Sequence, residues 1–301
     1  MKFTRFLLPI LPLAAAVGMA QTVPPTPFLK PSSFAVRTGQ AISLAYVTVT
    51  DATPAAAPWP SNVGWLFTRA SGTQENRHDV RPARAQDSAI PIEIREAGVT
   101  VIGADRTTTV AEVSGAGLRE FLNRHVAADA VRTLGELPAA GAAVKVRLVE
   151  SAKTLVRAAG PDAGGQDARG PVGSGVAASK TGQAVEIQPA TDPTVLRVGS
   201  DLPLRLLIAG DKKSGAKLVA TSPSGKIVSF DSDPAGGGHI RISEAGAWRL
   251  EFHHVARLED DPAAEWVLYT ATLMFEVPLE ETPKAVLPKT TGNRAQKGAG
   301  K

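Results

Sequence analysis

Two stretches of this chain carry the same pattern of apolar residues and turns. In the first, Pro31, Phe34, Val36, Gly39, Ile42 and Leu44 precede Ile92, Ile94 and the turn Glu96-Ala97-Gly98. In the second, Pro193, Leu196, Val198, Gly199, Leu202 and Leu206 precede Ile240, Ile242 and Glu244-Ala245-Gly246. Apolar residues at alternate positions, interrupted by a glycine turn, describe strands and the bend between them. The duplication therefore predicts one sheet-forming unit copied in tandem. The fold class is mainly β: two tandem β-sandwich domains of the immunoglobulin-like or transthyretin-like kind, the first with a short helical insertion. At 301 residues each copy has enough chain for its own core.

The organisation read along the chain is a signal peptide over 1–20, a first sandwich over 21–158, a flexible linker or loop over 159–183, a second sandwich over 184–278 and a disordered basic tail over 279–301. Lys2 and Arg5, the apolar run Phe6 to Val17 and the small residues Gly18 and Ala20 make a leader cut before Gln21. This places the protein in the periplasm as a soluble chain. The apolar run is short, is broken by Pro9 and Pro12, and has no longer counterpart downstream, which argues against an integral membrane protein. With no cysteine, neither disulfides nor an acylated cysteine anchor is available. The positive surplus lies at the two ends, in Lys2 and Arg5 and in Lys284, Lys289, Arg294, Lys297 and Lys301. No basic face with interleaved aromatics marks the body, so nucleic-acid binding is not expected.

In the first half, Phe34–Arg37, Ala41–Thr50, Val63–Thr68, Ile90–Arg95, Val99–Ala104 and Val144–Val156 read as strands. Pro54, Pro58 and Pro60 make Asp51 to Ser61 a loop. Leu118, Phe121, Leu122 and His125 recur at helical spacing after Ser114, a capping residue, and the helix continues weakly toward Leu134. The second half reads as seven strands: Val185–Gln188, Leu204–Ala209, Lys217–Thr221, Ile227–Phe230, His239–Ser243, Ala247–Val255 and Trp266–Val277. Tryptophans in such a sandwich belong to its core, with an exposed sugar- or peptide-binding platform as the less favoured reading.

The candidate metal ligands are His253, His254, His239, Glu259 and Asp261, with Asp260 and Glu265 beside them. Imidazole with carboxylate suits nickel, cobalt or zinc. Side chains alternate along a strand, so His253 and His254 face opposite ways while Glu251 and His253 share a face. The alternative is a polar strand end running into a solvated acidic loop. His78 falls in a polar stretch, and His125 lies on the helix's apolar stripe as a satisfied, partly buried histidine. Ser151 and Lys153 share a strand face and read as the polar side of an edge strand rather than a nucleophile and its base. Gly210 to Lys217 fails as a phosphate loop, because Ala216 stands at the lysine position and no helix follows. No nucleophile, base and orienting group stand at mechanistic spacing, so the protein is expected to bind rather than catalyse.

The stretch Arg147 to Val156, followed by Val185-Glu186-Ile187-Gln188-Pro189 with Asp192 and Pro193, resembles a family of exported bacterial proteins of unknown function. Phe28 to Phe34, Glu244 to Trp248 and Tyr269 to Val277 fit the same family. By similarity the family is associated with the periplasmic component of nickel or cobalt uptake systems. The resemblance implies an extracytoplasmic β-protein that handles a divalent transition metal and presents it to a membrane transporter or receptor component. Members often carry a histidine just after the leader, where a new amino terminus and imidazole chelate together. Pro24, Pro25, Thr26 and Pro27 fill that place here, and proline has no backbone N–H for such a chelate to deprotonate. The competing expectation is an envelope interaction module that contacts protein or glycan through exposed edges and the Asp51 to Ser61 segment.

Overall fold

The computed structural model describes residues 22–50, 53–70, 88–106, 108–160 and 175–279. The expected leader, His78, most of the 159–183 linker and all but the first residue of the tail lie outside the described residues.

The first half contributes β1 (Thr26–Pro31), β2 (Ala35–Arg37), β3 (Ala41–Thr50), β4 (Thr53–Ala56), β5 (Val63–Arg69), β6 (Ala89–Glu93), β7 (Gly98–Arg106) and β8 (Thr109–Ser114). Helices α1 (Gly115–His125) and α2 (Ala128–Thr133) and the long β9 (Ala143–Ala159) complete it. The second half contributes β10 (Val185–Pro189), β11 (Asp201–Ile208), β12 (Asp211–Lys212), β13 (Lys217–Thr221) and β14 (Ile227–Asp231). It ends with β15 (Gly237–Arg241), β16 (Gly246–Arg257) and β17 (Trp266–Val277). The protein is mainly β, and the helical insertion falls where the Leu118 to His125 spacing puts it. Its second part is a separate short helix, α2, because the chain leaves helical geometry at Val126.

The duplicated pattern is visible in the pairing. β3 pairs antiparallel with β6, Ile42 opposite Ile92, and β11 pairs antiparallel with β15, Leu202 opposite Ile240. Gly39 N donates to Ile94 O at 2.7 Å, and Gly199 N donates to Ile242 O at the same distance. Both Glu-Ala-Gly turns end in a glycine with positive φ, 103° at Gly98 and 116° at Gly246, where a side chain would be strained. Each turn leads from a small sheet into a strand of a large one.

That large sheet belongs to both copies. Its order is β14-β13-β16-β17-β9-β7-β5, with β2 and β8 also on β9. The junction is a parallel pair, β17 on β9, running from Trp266 opposite Val146 to Met274 opposite Thr154. The two halves are thus sandwiches built on one continuous sheet. β3 carries the small sheet β1-β3-β4 with β6, and β11 carries β10-β11-β12 with β15. The small sheets cover opposite faces. Val156, Ile102 and Leu66 pack with the first one, whereas their neighbours Leu155, Val101 and Phe67 pack with the second. A strand's alternation sends successive residues to opposite sides, so β5, β7 and β9 serve two cores at once. Trp59, Trp248 and Trp266 are buried, as expected of core tryptophans.

Two local expectations change. Thr53–Ala56 of the expected Asp51 to Ser61 loop is the strand β4. It lies at the margin of its sheet, a place where Pro54 costs no ladder hydrogen bond. Ser151 and Lys153 are not on an edge strand: β9 is central, flanked by β17 and β7. Both are 2% exposed, and Lys153 Nζ donates to Glu186 Oε1 at 2.6 Å, tying the large sheet to β10. Nearby, Gln183 Nε2 donates to Asp105 Oδ1 at 3.0 Å.

Burial raises the Asp105 carboxyl from 3.8 to about 6. Its folded value lies above its unfolded one, so the stability it contributes is full below pH 4 and is lost as pH rises through 6. Asp105→Asn is expected to stabilise the protein at pH 8 by about 2–3 kcal/mol and to flatten this pH dependence. Urea melts of both proteins at pH 4 and pH 8 check it, and equal gains at the two pH values would refute the assignment.

Candidate metal centre

Helix α1 lies on the same face of the large sheet as the β1-β3-β4 sheet. Ser114 Oγ caps it by accepting from Gly117 N at 3.0 Å, and Leu118, Phe121 and Leu122 seat it on Val144, Val146, Leu148 and Val255. Its first residue, Gly115, is packed against the chain that follows α2, where a β-carbon would stand 2.0 Å from Ala139 O. Gly115→Ala is therefore expected to push α1 outward and destabilise the protein by about 1–3 kcal/mol, weakening metal uptake with it. Parallel thermal melts and metal titrations of the variant check both effects.

The seat of α1 carries its last residue, His125, onto β16. Glu251 and His253, two residues apart on that strand, face the helix. His125 stacks on Phe121 with centroids 4.8 Å apart, Phe121 meets His253 edge-on at 5.0 Å, and the two imidazoles stand 4.8 Å apart, tilted at 68°. His125 Nδ1 is 3.7 Å from Glu251 Oε1, and His253 Nε2 is 3.6 Å from Glu251 Oε2. One donor atom from each residue lies within 4.8 Å of the others. Donors around an ion at metal–nitrogen distances of about 2.0–2.1 Å stand roughly 3–4 Å apart, so a small contraction closes the site. Among the described residues this is the group of three such donors that close.

The free atoms point the right way. His125 Nδ1 and His253 Nε2 are buried with no hydrogen-bond partner, and His253 is 1% exposed. Orphaned polar atoms in a native interior are uncommon and costly. His253 Nδ1 lies 3.1 Å from Thr270 Oγ1. A bond in which Nδ1 donates to a partner such as Thr270 is the outer-shell arrangement that orients ligating histidines and turns the Nε2 lone pair toward an ion. Burial, with His253 adding to it, lowers His125 to about 4, so its imidazole is neutral at pH 7. Burial would raise Glu251, but His253, His125 and Arg249 outweigh it and hold the carboxyl below its ordinary range. Two imidazoles and a carboxylate make a ligand set for zinc, nickel or cobalt.

Of the residues singled out in the sequence, the structure brings His253 into this group and leaves the others elsewhere. His254 points to the other face, stacked on Tyr269 with centroids 6.1 Å apart. His239 is exposed on β15, across from Pro203 in the second small sheet. Glu259 is exposed. Asp261 accepts from Arg147 Nε at 2.7 Å and from Ala263 N at 2.9 Å, which ties it into the turn before β17. Asp260 and Glu265 flank this turn, both outside the group of donors. His125, expected to be satisfied, is instead one of the two histidines with an orphaned nitrogen.

A family model, a domain of unknown function designated DUF4198, matches residues 26–256. The chain belongs to the DUF4198 family. That match covers β1 through nearly all of β16 and so includes His125, Glu251 and His253 of this DUF4198 protein. No curated protein matches the chain. Among solved structures it is similar to murine CEACAM1b, at 10% identity over 84% of this chain and 100% of that one, with a TM-score of 0.20. A Ca2+-stabilized adhesin with which an Antarctic bacterium binds ice shares 9% identity over 87% of this chain and 50% of that one, TM-score 0.22. Three N-terminal domains of the bacteriophage RB49 highly immunogenic outer capsid protein share 8% identity over 85% and 100%, TM-score 0.21. At such scores these likenesses carry no argument about this DUF4198 protein.

Proposed function

We propose that this protein is a non-catalytic binder of a divalent transition metal, of the nickel, cobalt and zinc class. His125, Glu251 and His253 hold the ion, and the protein passes it to a membrane transporter as an accessory in uptake. The observation that carries the reading is the pair of buried, unpartnered imidazole nitrogens set on either side of one ionised carboxylate. A leader-like start supports an extracytoplasmic place for it. Among the described residues no helix is long and apolar enough to cross a membrane.

Calorimetric titration of the purified protein with nickel, cobalt and zinc salts tests the reading, together with the metal content of dialysed protein. One ion per chain with a Kd in the micromolar range or tighter is expected. No uptake of any of the three in that range would overturn it.

A further inference from the structure

The metal centre forms one wall of a cavity much larger than an ion needs. Its volume is about 790 Å3, within the range of small-molecule pockets, about 300–1,000 Å3. Six waters around a bare ion would fill roughly 180 Å3 at about 30 Å3 each. The cavity runs from α1 to the chain before β1, over a floor made by β13, β14 and β16. His125 and Glu251 line it, and His253 lies just behind them.

The charge of its lining is the second observation. Arg124, Lys217 and Arg249 line the cavity against Glu120 and Glu251. Arg124 and Glu120 pair with each other at 3.0 Å on the exposed side of α1. Lys217 Nζ donates to Arg124 O at 3.2 Å, which spends one of its three donors and leaves two. Arg249 stands with its guanidinium 5.9 Å from the centre of the Phe28 ring. The formal charges of these five side chains sum to one positive, and a divalent ion adds two more in a half-enclosed space. Burying that much charge of one sign is unfavourable unless an anion comes with it. Three protein donors also leave positions on the ion open toward the cavity.

We infer that the cavity takes its ion as a complex with a small carboxylate-bearing chelator. The chelator fills the open coordination positions, and its remaining carboxylates lie against Lys217 and Arg249. This rests on the metal-binding reading above and names the form in which the metal arrives. Apolar residues beside the cations, Phe28, Val49 and Val219 among them, suit the chelator's carbon skeleton.

Equilibrium dialysis of the protein with labelled citrate or labelled L-histidine, each with and without nickel, tests it, alongside calorimetry with nickel alone. The expected result is retention of one chelator per chain only when nickel is present, and an affinity for the complex at least ten times that for nickel alone. In Lys217→Gln and Arg249→Gln that ratio is expected to fall toward one. Should nickel alone bind while both chelators merely strip it from the protein, this inference fails and the metal centre stands. Chelator retained equally without nickel would also overturn it. If neither nickel nor either complex binds, the metal-binding reading itself fails.

Discussion

Replacing His253 by alanine is expected to weaken nickel and zinc binding by at least about 100-fold, with His125→Ala and Glu251→Gln close behind. Of the three candidate donors, His253 has the most to lose. Its ring is fixed by Thr270 on one side and Phe121 on the other, so its nitrogen is held in place before the ion arrives and no ordering entropy remains to oppose binding. Glu251→Gln keeps the shape of the side chain and removes the charge, separating geometry from electrostatics. Thr270→Val removes only the outer-shell hydrogen bond and is expected to cost about 10–100-fold, the usual range for such partners. The graded order, ligands above Thr270, is what a metal centre produces and a merely structural histidine does not. Calorimetric titration of the four variants, each shown to be folded by circular dichroism, measures it. Binding by His253→Ala within threefold of the natural protein would refute the assignment.

Lys153→Met is expected to destabilise the protein by about 3–5 kcal/mol and to lower its Tm by roughly 10 °C. Lys153 and Glu186 are each 2% exposed, and burial lowers the lysine pKa while Glu186 opposes that shift. With the ammonium gone, Glu186 keeps only the Thr181 N–H, which donates to its two oxygens at 3.1 Å each, too little for a carboxylate out of water. The paired change, Lys153→Met with Glu186→Leu, removes both charges and is expected to recover most of the loss, because a buried ion pair stabilises little over well-packed apolar residues. Denaturant melts of the single and double variants provide the measurement. A double variant no more stable than Lys153→Met would show that the pair acts through something other than charge burial.

Much of the fold is legible in the residues. Alternation and β-branched content mark most of the strands, Ala41–Thr50, Lys217–Thr221 and Trp266–Val277 among them, and the two Glu-Ala-Gly turns mark where each unit bends. The strands that escape are those whose local signal is contradicted by proline or interrupted by polar residues. β1 holds Pro27 and Pro31, and β4 holds Pro54. Both are margin strands of their sheet, where a missing N–H is harmless, so composition argues against them and pairing permits them.

The candidate metal centre is half legible. Glu251 and His253 share a strand face by elementary geometry, and that pairing is visible before any coordinates. His125 is visible as a residue on a helical stripe, but nothing in its neighbours says which strand that stripe covers. His254, Glu259 and Asp261 lie close to His253 in sequence, yet strand alternation and the Arg147 ion pair take them elsewhere. Nearness along a chain is a poor guide to a ligand set when the partners come from 126 and 128 residues away, as Glu251 and His253 do from His125.

Local sequence settles the β class, the duplicated unit and the helical insert, because each depends on residues within one or two turns of one another. Packing alone settles that the copies share a sheet. The parallel join of β17 to β9 is made by backbone groups that every residue carries, so no side-chain pattern announces it. That join places α1 of the first copy over β16 of the second and brings together three donors that neither copy holds alone.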